Sequence, residues 1–160
     1  MIGFIGGSGV YKLEKLEGII EKKIDTPFGQ PSDAFICGRI GERKVCFLPR
    51  HGRDHQILPS EINHRANVFG FKCLGVARLI SISAVGSLRE ELRPRDIVLP
   101  DQYYDRSKTS GEHSFFGSGI VAHISLAQPA CPTLRKLILQ TAKAIVTNHK
   151  QDIRVISGGT

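Results

Sequence analysis

The sequence predicts an α/β fold, an open sheet with helices that its 160 residues leave incomplete. Three observations carry this. Short apolar or alternating runs of strand length recur through the chain; two longer stretches follow a helical apolar period instead; and the runs empty into turns rich in Gly, Ser or Pro. Strands and helices in this order belong to a sheet with helices packed on it.

Taken in order, Ile2 to Ile5 is an apolar run stopped by Gly6-Gly7-Ser8-Gly9, a first strand followed by a turn in which the backbone can approach a ligand. Gly18 to Ile24, Ala34 to Ile40 and Lys44 to Pro49 read as strands, separated by the turn formers of residues 25–31 and Gly41-Glu42. Pro59-Ser60-Glu61 is a helix entrance, after which Ile62, Ala66, Phe69 and Cys73 recur on one face until Gly75 supplies a stop. Arg78 to Ser83 is a β-branched strand ending in Ala84-Val85-Gly86-Ser87, and Asp96 to Leu99 is a second, ending at Pro100-Asp101. Residues 106–129 have no clean period and read as a long functional loop. Pro132 opens the clearest helix, with Leu134, Leu137, Ile138, Thr141, Ala144 and Ile145 on one face. After a turn at residues 148–151, Asp152 to Ile156 is a last strand, with Ser157-Gly158-Gly159-Thr160 directly behind it and nothing to pack its other side.

Composition narrows the function classes. An apolar share of 41% supports a real core and argues against disorder. The net charge of +7 raises nucleic-acid binding, but Lys and Arg are interleaved with Asp and Glu and no aromatic-basic module is present, so no nucleic-acid partner is expected. Cys37, Cys46, Cys73 and Cys131 show no CxxC pairing; three lie in apolar runs where cysteine acts as a small buried hydrophobe, and a disulfide framework is not indicated. No basic leader and no membrane-length apolar stretch is seen, which gives the expectation of a cytoplasmic protein with no membrane partner.

Four places could carry chemistry. Gly6-Gly7-Ser8-Gly9 offers backbone N–H groups and a hydroxyl to an anion. It is neither a P-loop nor a dinucleotide turn, because no Gly-Lys-Ser/Thr comes after it and Lys12 stands where a third glycine would be; a plain loop is the alternative. Arg50-His51-Gly52-Arg53-Asp54-His55 stands just past a strand end, where ligands sit in open α/β sheets, and offers donors to phosphate oxygens. A solvated charge run, or a metal pair of His51 and His55, would explain the same residues. Ser83 and the N–H of Ala84 could bind an oxyanion where a third strand ends, or Ser83 is a turn former. His123 is a lone histidine in the long loop, and nothing in the residues alone singles it out. If adjacent, the three strand ends would surround one tetrahedral anion with donors.

The order IGGSG, DTPFGQPSD, RHGRDHxxxPxxxNHRAN, SAVGSLREE, DIVLPDQ and AHISLAQPACP resembles the methylthioadenosine phosphorylases of the purine nucleoside phosphorylase family over essentially the whole chain. The resemblance implies a single α/β domain spanning residues 1–160 and cut before its C-terminal portion, built on a twisted mixed sheet flanked by helices and assembled as a homotrimer. It implies phosphorolysis of a purine nucleoside, S-methyl-5'-thioadenosine first, to free base and 5-methylthioribose-1-phosphate, with inorganic phosphate as co-substrate and no metal or organic cofactor. The phosphate site would fall on Ser8, Arg50, His51, Ser83 and Ala84. His123 matches a residue placed near the 5' end of a neighbouring subunit's nucleoside. Ser8 and Ser83 stand where many members have threonine, which keeps the phosphate-binding hydroxyls, and His64 stands where tyrosine is usual. The catalytic acid and the base-reading residues are expected beyond Thr160, so the 160 residues alone are expected to lack turnover. A 6-oxopurine nucleoside or methylthioinosine phosphorylase, and an inactive remnant of the family, are the competing readings.

Overall fold

A computed structural model describes residues 1–7, 15–105, 114–149 and 152–158. The chain divides into two compact units, Met1–Val85 with Ser110–Phe115, and Gly86–Thr109 with Phe116–Thr160.

The first unit is a five-stranded mixed sheet. Its strands are β1 (Ile2–Gly6), β2 (Glu17–Lys22), β3 (Phe35–Ile40), β4 (Arg43–Pro49) and β5 (Arg78–Ile82), in the spatial order β2-β3-β4-β1-β5. β1 runs parallel to both β4 and β5, whereas β2–β3 and β3–β4 are antiparallel. Position explains composition. β4 is the middle strand and is buried without interruption from Val45 to Pro49, as a strand covered on both faces should be. β2 lies at an edge and is exposed throughout; a register shift between Glu17 and Ile20, with Gly18 at φ 60°, disrupts its ladder.

α1 (His64–Cys73) buries Ala66, Asn67, Gly70 and Phe71. Phe71 meets the edge of Phe35 with ring centroids 4.9 Å apart, in a core shared with Ile5, Cys37, Cys46 and Leu48. The helix begins later than its sequence suggests. Pro59–Glu61 forms a separate 3-10 turn, closed by the Glu61 carboxylate accepting from the Leu58 N–H at 3.0 Å, and Ile62 is extended at ψ 120°. Asn63 then caps α1, accepting from the Ala66 N–H at 3.0 Å. The expectation of burial for cysteines in apolar runs holds for Cys37 and Cys46; Cys73 on α1 is exposed, as is Cys131.

The second unit holds β6 (Ile97–Leu99) and β7 (Val155–Ser157), paired in parallel, and α2 (Pro132–Asn148), which packs against β7. β6 thus supplies the partner that the sequence pattern did not give the last strand. Arg135 fastens the first turn of α2 to both strand ends, donating to the Leu99 carbonyl at 3.3 Å and to the Ser157 hydroxyl. Between Ser114 and Cys131 the described backbone has no regular element beyond an isolated Gly117–Ile120 bridge, in line with that part of the loop expected over residues 106–129; residues 106–113 lie outside the described residues.

Candidate functional site

Strand register brings the site residues together. β1 lies between β4 and β5, both parallel to it, and Gly6 is level with Pro49 on one side and with Ile82 on the other. Three C-terminal ends therefore finish in one row, and Gly7, Arg50 and Ser83, each the first residue past its strand, emerge at the same rim. Ligands of open α/β sheets sit at such rims.

Arg50 spans the row. Its backbone N–H donates to the Gly6 carbonyl at 2.9 Å, which extends the β1–β4 pairing by one bond. Its guanidinium passes to the far strand and donates from Nη1 to the Ser83 hydroxyl at 2.6 Å. A guanidinium carries more N–H donors than its bonds to Ser83 and His51 use. At Gly7 no atom of the described residues lies within 4 Å of where an added Cβ would stand. Ser83 and Ala84 are exposed. Ser8, expected at this rim, lies outside the described residues.

His51 is oriented from two sides. Nδ1 lies 2.8 Å from the Ile57 carbonyl, which can only accept, so Nδ1 carries the proton. Nε2 of the neutral ring is then an acceptor and faces Arg50 Nε at 3.5 Å. His55, held at φ 56° with its N–H on the Gly52 carbonyl, lays its ring against His51 at a centroid distance of 4.6 Å and a tilt of 30°. Rings laid face to face do not converge their in-plane nitrogen lone pairs on one ion. Among the described residues no three His, Cys, Asp or Glu gather as metal ligands.

Arg53, in the same motif, faces elsewhere. It holds the Asp33 carboxylate through its backbone N–H at 2.8 Å and Nη2 at 2.9 Å, and grips Glu21 through Nη1 and Nη2 at 3.0 and 3.1 Å. Burial pushes the Asp33 carboxyl up, but the Arg53 hydrogen bonds outweigh it and hold the group below its ordinary range; Glu21 is lowered by the same guanidinium. The loop that presents Arg50 and His51 is thereby tied to β2 and to the entrance of β3.

Two asparagines that the sequence pattern did not single out complete the support. Asn67, wholly buried on α1, accepts from the Ser32 N–H at 2.8 Å and donates to its hydroxyl at 2.9 Å. Asn63 caps the helix and also donates to the Phe28 carbonyl at 2.6 Å. Neither lies on the apolar face that Ile62, Ala66, Phe69 and Cys73 predicted; the helix instead turns Ala66, Asn67, Gly70 and Phe71 inward, because Phe71 packs on Phe35 and Asn67 bonds Ser32. His123 is exposed, in the irregular stretch of the second unit.

The sequence profile of the phosphorylase superfamily matches residues 1–160. The chain is 54% identical over 159 residues to the S-methyl-5'-thioadenosine phosphorylase of Thermosynechococcus vestitus, a match that covers 99% of the chain and 54% of that protein. It is 52% identical over 134 residues to the S-methyl-5'-thioadenosine phosphorylase of Geobacter sulfurreducens, covering 84% and 47%. Among solved structures it is similar to a methylthioadenosine phosphorylase from an antarctic soil metagenomic library, at a TM-score of 0.89, 40% identity and 98% and 53% coverage. It is also similar to the Schistosoma mansoni methylthioadenosine phosphorylase in complex with tubercidin, at 0.84, 34%, and 98% and 59%. The chain spans about half the length of the curated relatives it matches.

Proposed function

The chain belongs to the phosphorylase superfamily, and on that premise we propose that it carries the phosphate-holding part of a nucleoside phosphorylase, a pentosyltransferase acting on S-methyl-5'-thioadenosine. The observation that carries the reading is the row of level strand ends, with the Arg50 guanidinium crossing the end of β1 to the Ser83 hydroxyl at 2.6 Å.

In this reading phosphate sits at the rim. Arg50 counters its charge and fixes its position through charge-assisted hydrogen bonds. The Ser8 and Ser83 hydroxyls and the Ala84 N–H donate to its oxygens. His51, with Nδ1–H committed to Ile57, turns its Nε2 lone pair from Arg50 to the hydroxyl of a hydrogen phosphate and accepts its hydrogen bond. A phosphate oxygen attacks the anomeric carbon as the glycosidic C–N bond breaks, and the bonding pair leaves with the purine, which a general acid protonates. Positioning and stabilisation of the oxocarbenium-like sugar are the main contributions. Phosphate is the co-substrate, and neither metal nor organic cofactor enters the scheme. The products are adenine and 5-methylthioribose-1-phosphate. The 160 residues are part of one such domain, and the protein works as a homotrimer in the cytoplasm, with His123 serving the 5' end of a neighbour's nucleoside. No helix among the described residues is long and apolar enough to cross a membrane.

The test is a chimera in which residues 1–160 replace the matched segment of the Thermosynechococcus vestitus relative, assayed for base release from methylthioadenosine, adenosine and inosine with and without phosphate. Phosphate-dependent release, fastest from methylthioadenosine, is expected. A folded chimera that prefers inosine moves the substrate to a 6-oxopurine nucleoside, and one whose base release ignores phosphate overturns the reading. The 160-residue chain alone should show no turnover, because losing the positioning of one reactant forfeits on the order of 7–11 kcal/mol of barrier lowering. Turnover by the chain alone at the chimera's rate would place the whole reaction within these residues.

A further inference from the structure

Two thiols in the core of the first unit take no part in the anion site. Cys37 on β3 and Cys46 on β4 are direct partners in the antiparallel ladder, so their side chains project from the same face of the sheet. Their sulfurs lie 2.7 Å apart. Directly opposed residues of an antiparallel pair have Cα atoms about 4.5 or about 5.5 Å apart, depending on the pair type. Both spacings fall within the roughly 4.4–6.8 Å that a disulfide spans. Bond formation therefore asks for side-chain rotation and no displacement of either strand.

We propose that Cys37 and Cys46 are an oxidisable pair which a peroxide converts into a cross-strand disulfide, a covalent modification site within the core.

The two sulfurs are not equivalent. Cys37 retains 9% of its surface and Cys46 none, so a small oxidant meets Cys37 first. The neighbouring Cys46 sulfur pulls the Cys37 thiol down, whereas Cys37 and burial together push that of Cys46 up. Cys37 is thus the sulfur that forms thiolate and attacks. Its thiolate displaces hydroxide from hydrogen peroxide, giving a Cys37 sulfenic acid, and the hydroxide takes up the proton the thiol released. The Cys46 sulfur then attacks the Cys37 sulfur; the S–O bond breaks, and hydroxide leaves with the Cys46 proton as water. Two thiols lose two electrons and two protons, and one peroxide becomes two waters.

Cys73 and Cys131 are exposed and serve as internal references. The purified 160-residue chain is reduced, freed of reductant, treated with hydrogen peroxide, denatured, alkylated and digested with trypsin. Arg39, Arg43 and Lys44 lie between the two cysteines, so their peptides stay together only through a sulfur–sulfur bond. The expected product is a Cys37–Cys46 linked peptide two hydrogen masses lighter than its parts, lost on reduction and absent from Cys37→Ser and Cys46→Ser. The oxidised chain should also melt at a higher temperature than the reduced one. Full alkylation of Cys37 and Cys46 at peroxide levels that oxidise Cys73 or Cys131 overturns the proposal, as does a link through either exposed cysteine. Should a serine variant fail to fold, the map of the unaltered chain decides alone.

Discussion

Two arginines three positions apart, Arg50 and Arg53, are spent in opposite ways. Arg53 meets two carboxylates and serves the loop, whereas Arg50 meets a hydroxyl and an imidazole, neither of which neutralises it. Among the described residues Arg50 has no anionic partner, and a cation so placed at a strand-end rim is what an anionic ligand requires. Arg50→Ala, in the chimera described above, should raise KM for phosphate roughly ten- to hundred-fold, the worth of about 1.5–3 kcal/mol for hydrogen bonds to a charged group. KM for methylthioadenosine should move far less. Steady-state kinetics with each substrate varied in turn gives the answer, and equal losses on both would assign Arg50 to the fold instead of the nucleophile.

At the scale of elements, α1 is held against the sheet by a glycine. A Cβ on Gly70 would lie 2.4 Å from Phe35 Cζ and 2.7 Å from its Cε2, and Phe35 is wholly buried against Phe71. Helix propensity alone favours Gly70→Ala by about 0.8–1 kcal/mol. Overpacking a rigid core costs about 1–3 kcal/mol and should win, since the ring is wholly buried and packed on Phe71. The expected result is a lower midpoint in urea than for the unaltered chain; a higher one would show that helix and sheet part without strain. The same helix shows where local reading failed. Pro59-Ser60-Glu61 is a sound entrance on local grounds, yet Asn63, with Ser32 and Phe28 to hold through Asn67 and itself, sets the start four residues later than Pro59.

On the scale of the molecule, the two units rest on different forces. The first has an apolar core on its sheet; in the second, no residue of α2 is buried, and charged contacts recur. The Asp96 carboxylate, 3% exposed, is held by Arg154. The Arg154 hydrogen bond, against the opposing effect of desolvation, lowers Asp96 from 3.8 to about 2. A depressed carboxyl stabilises the fold above its unfolded value and loses that contribution as the pH falls through the folded one. The melting difference between the unaltered chain and Asp96→Asn should therefore be largest above pH 4 and shrink towards pH 2. A difference constant across that range would mean that the Asp96 charge does not stabilise the fold.

The strands, the clear helix at Pro132 and the long loop were legible because each rests on a local pattern: apolar period, turn formers, a proline at a helix start. The resemblance of six ordered motifs likewise needed nothing beyond the sequence to point to the family. Adjacency was a different matter. That β1 lies between β4 and β5, so that Arg50 reaches Ser83 across it, comes from pairings between residues more than thirty apart in the chain. The division of labour between Arg50 and Arg53 likewise depends on where Asp33 and Glu21, 20 and 32 positions before Arg53, come to lie. The facing of Cys37 and Cys46 is a matter of register, and a slip of one residue in β3 would turn one thiol to the other face. Local pattern tells a residue which element it belongs to; only the packed sheet determines which face that element buries and which other element's residue is met there, as the exposed Cys73 on α1 shows.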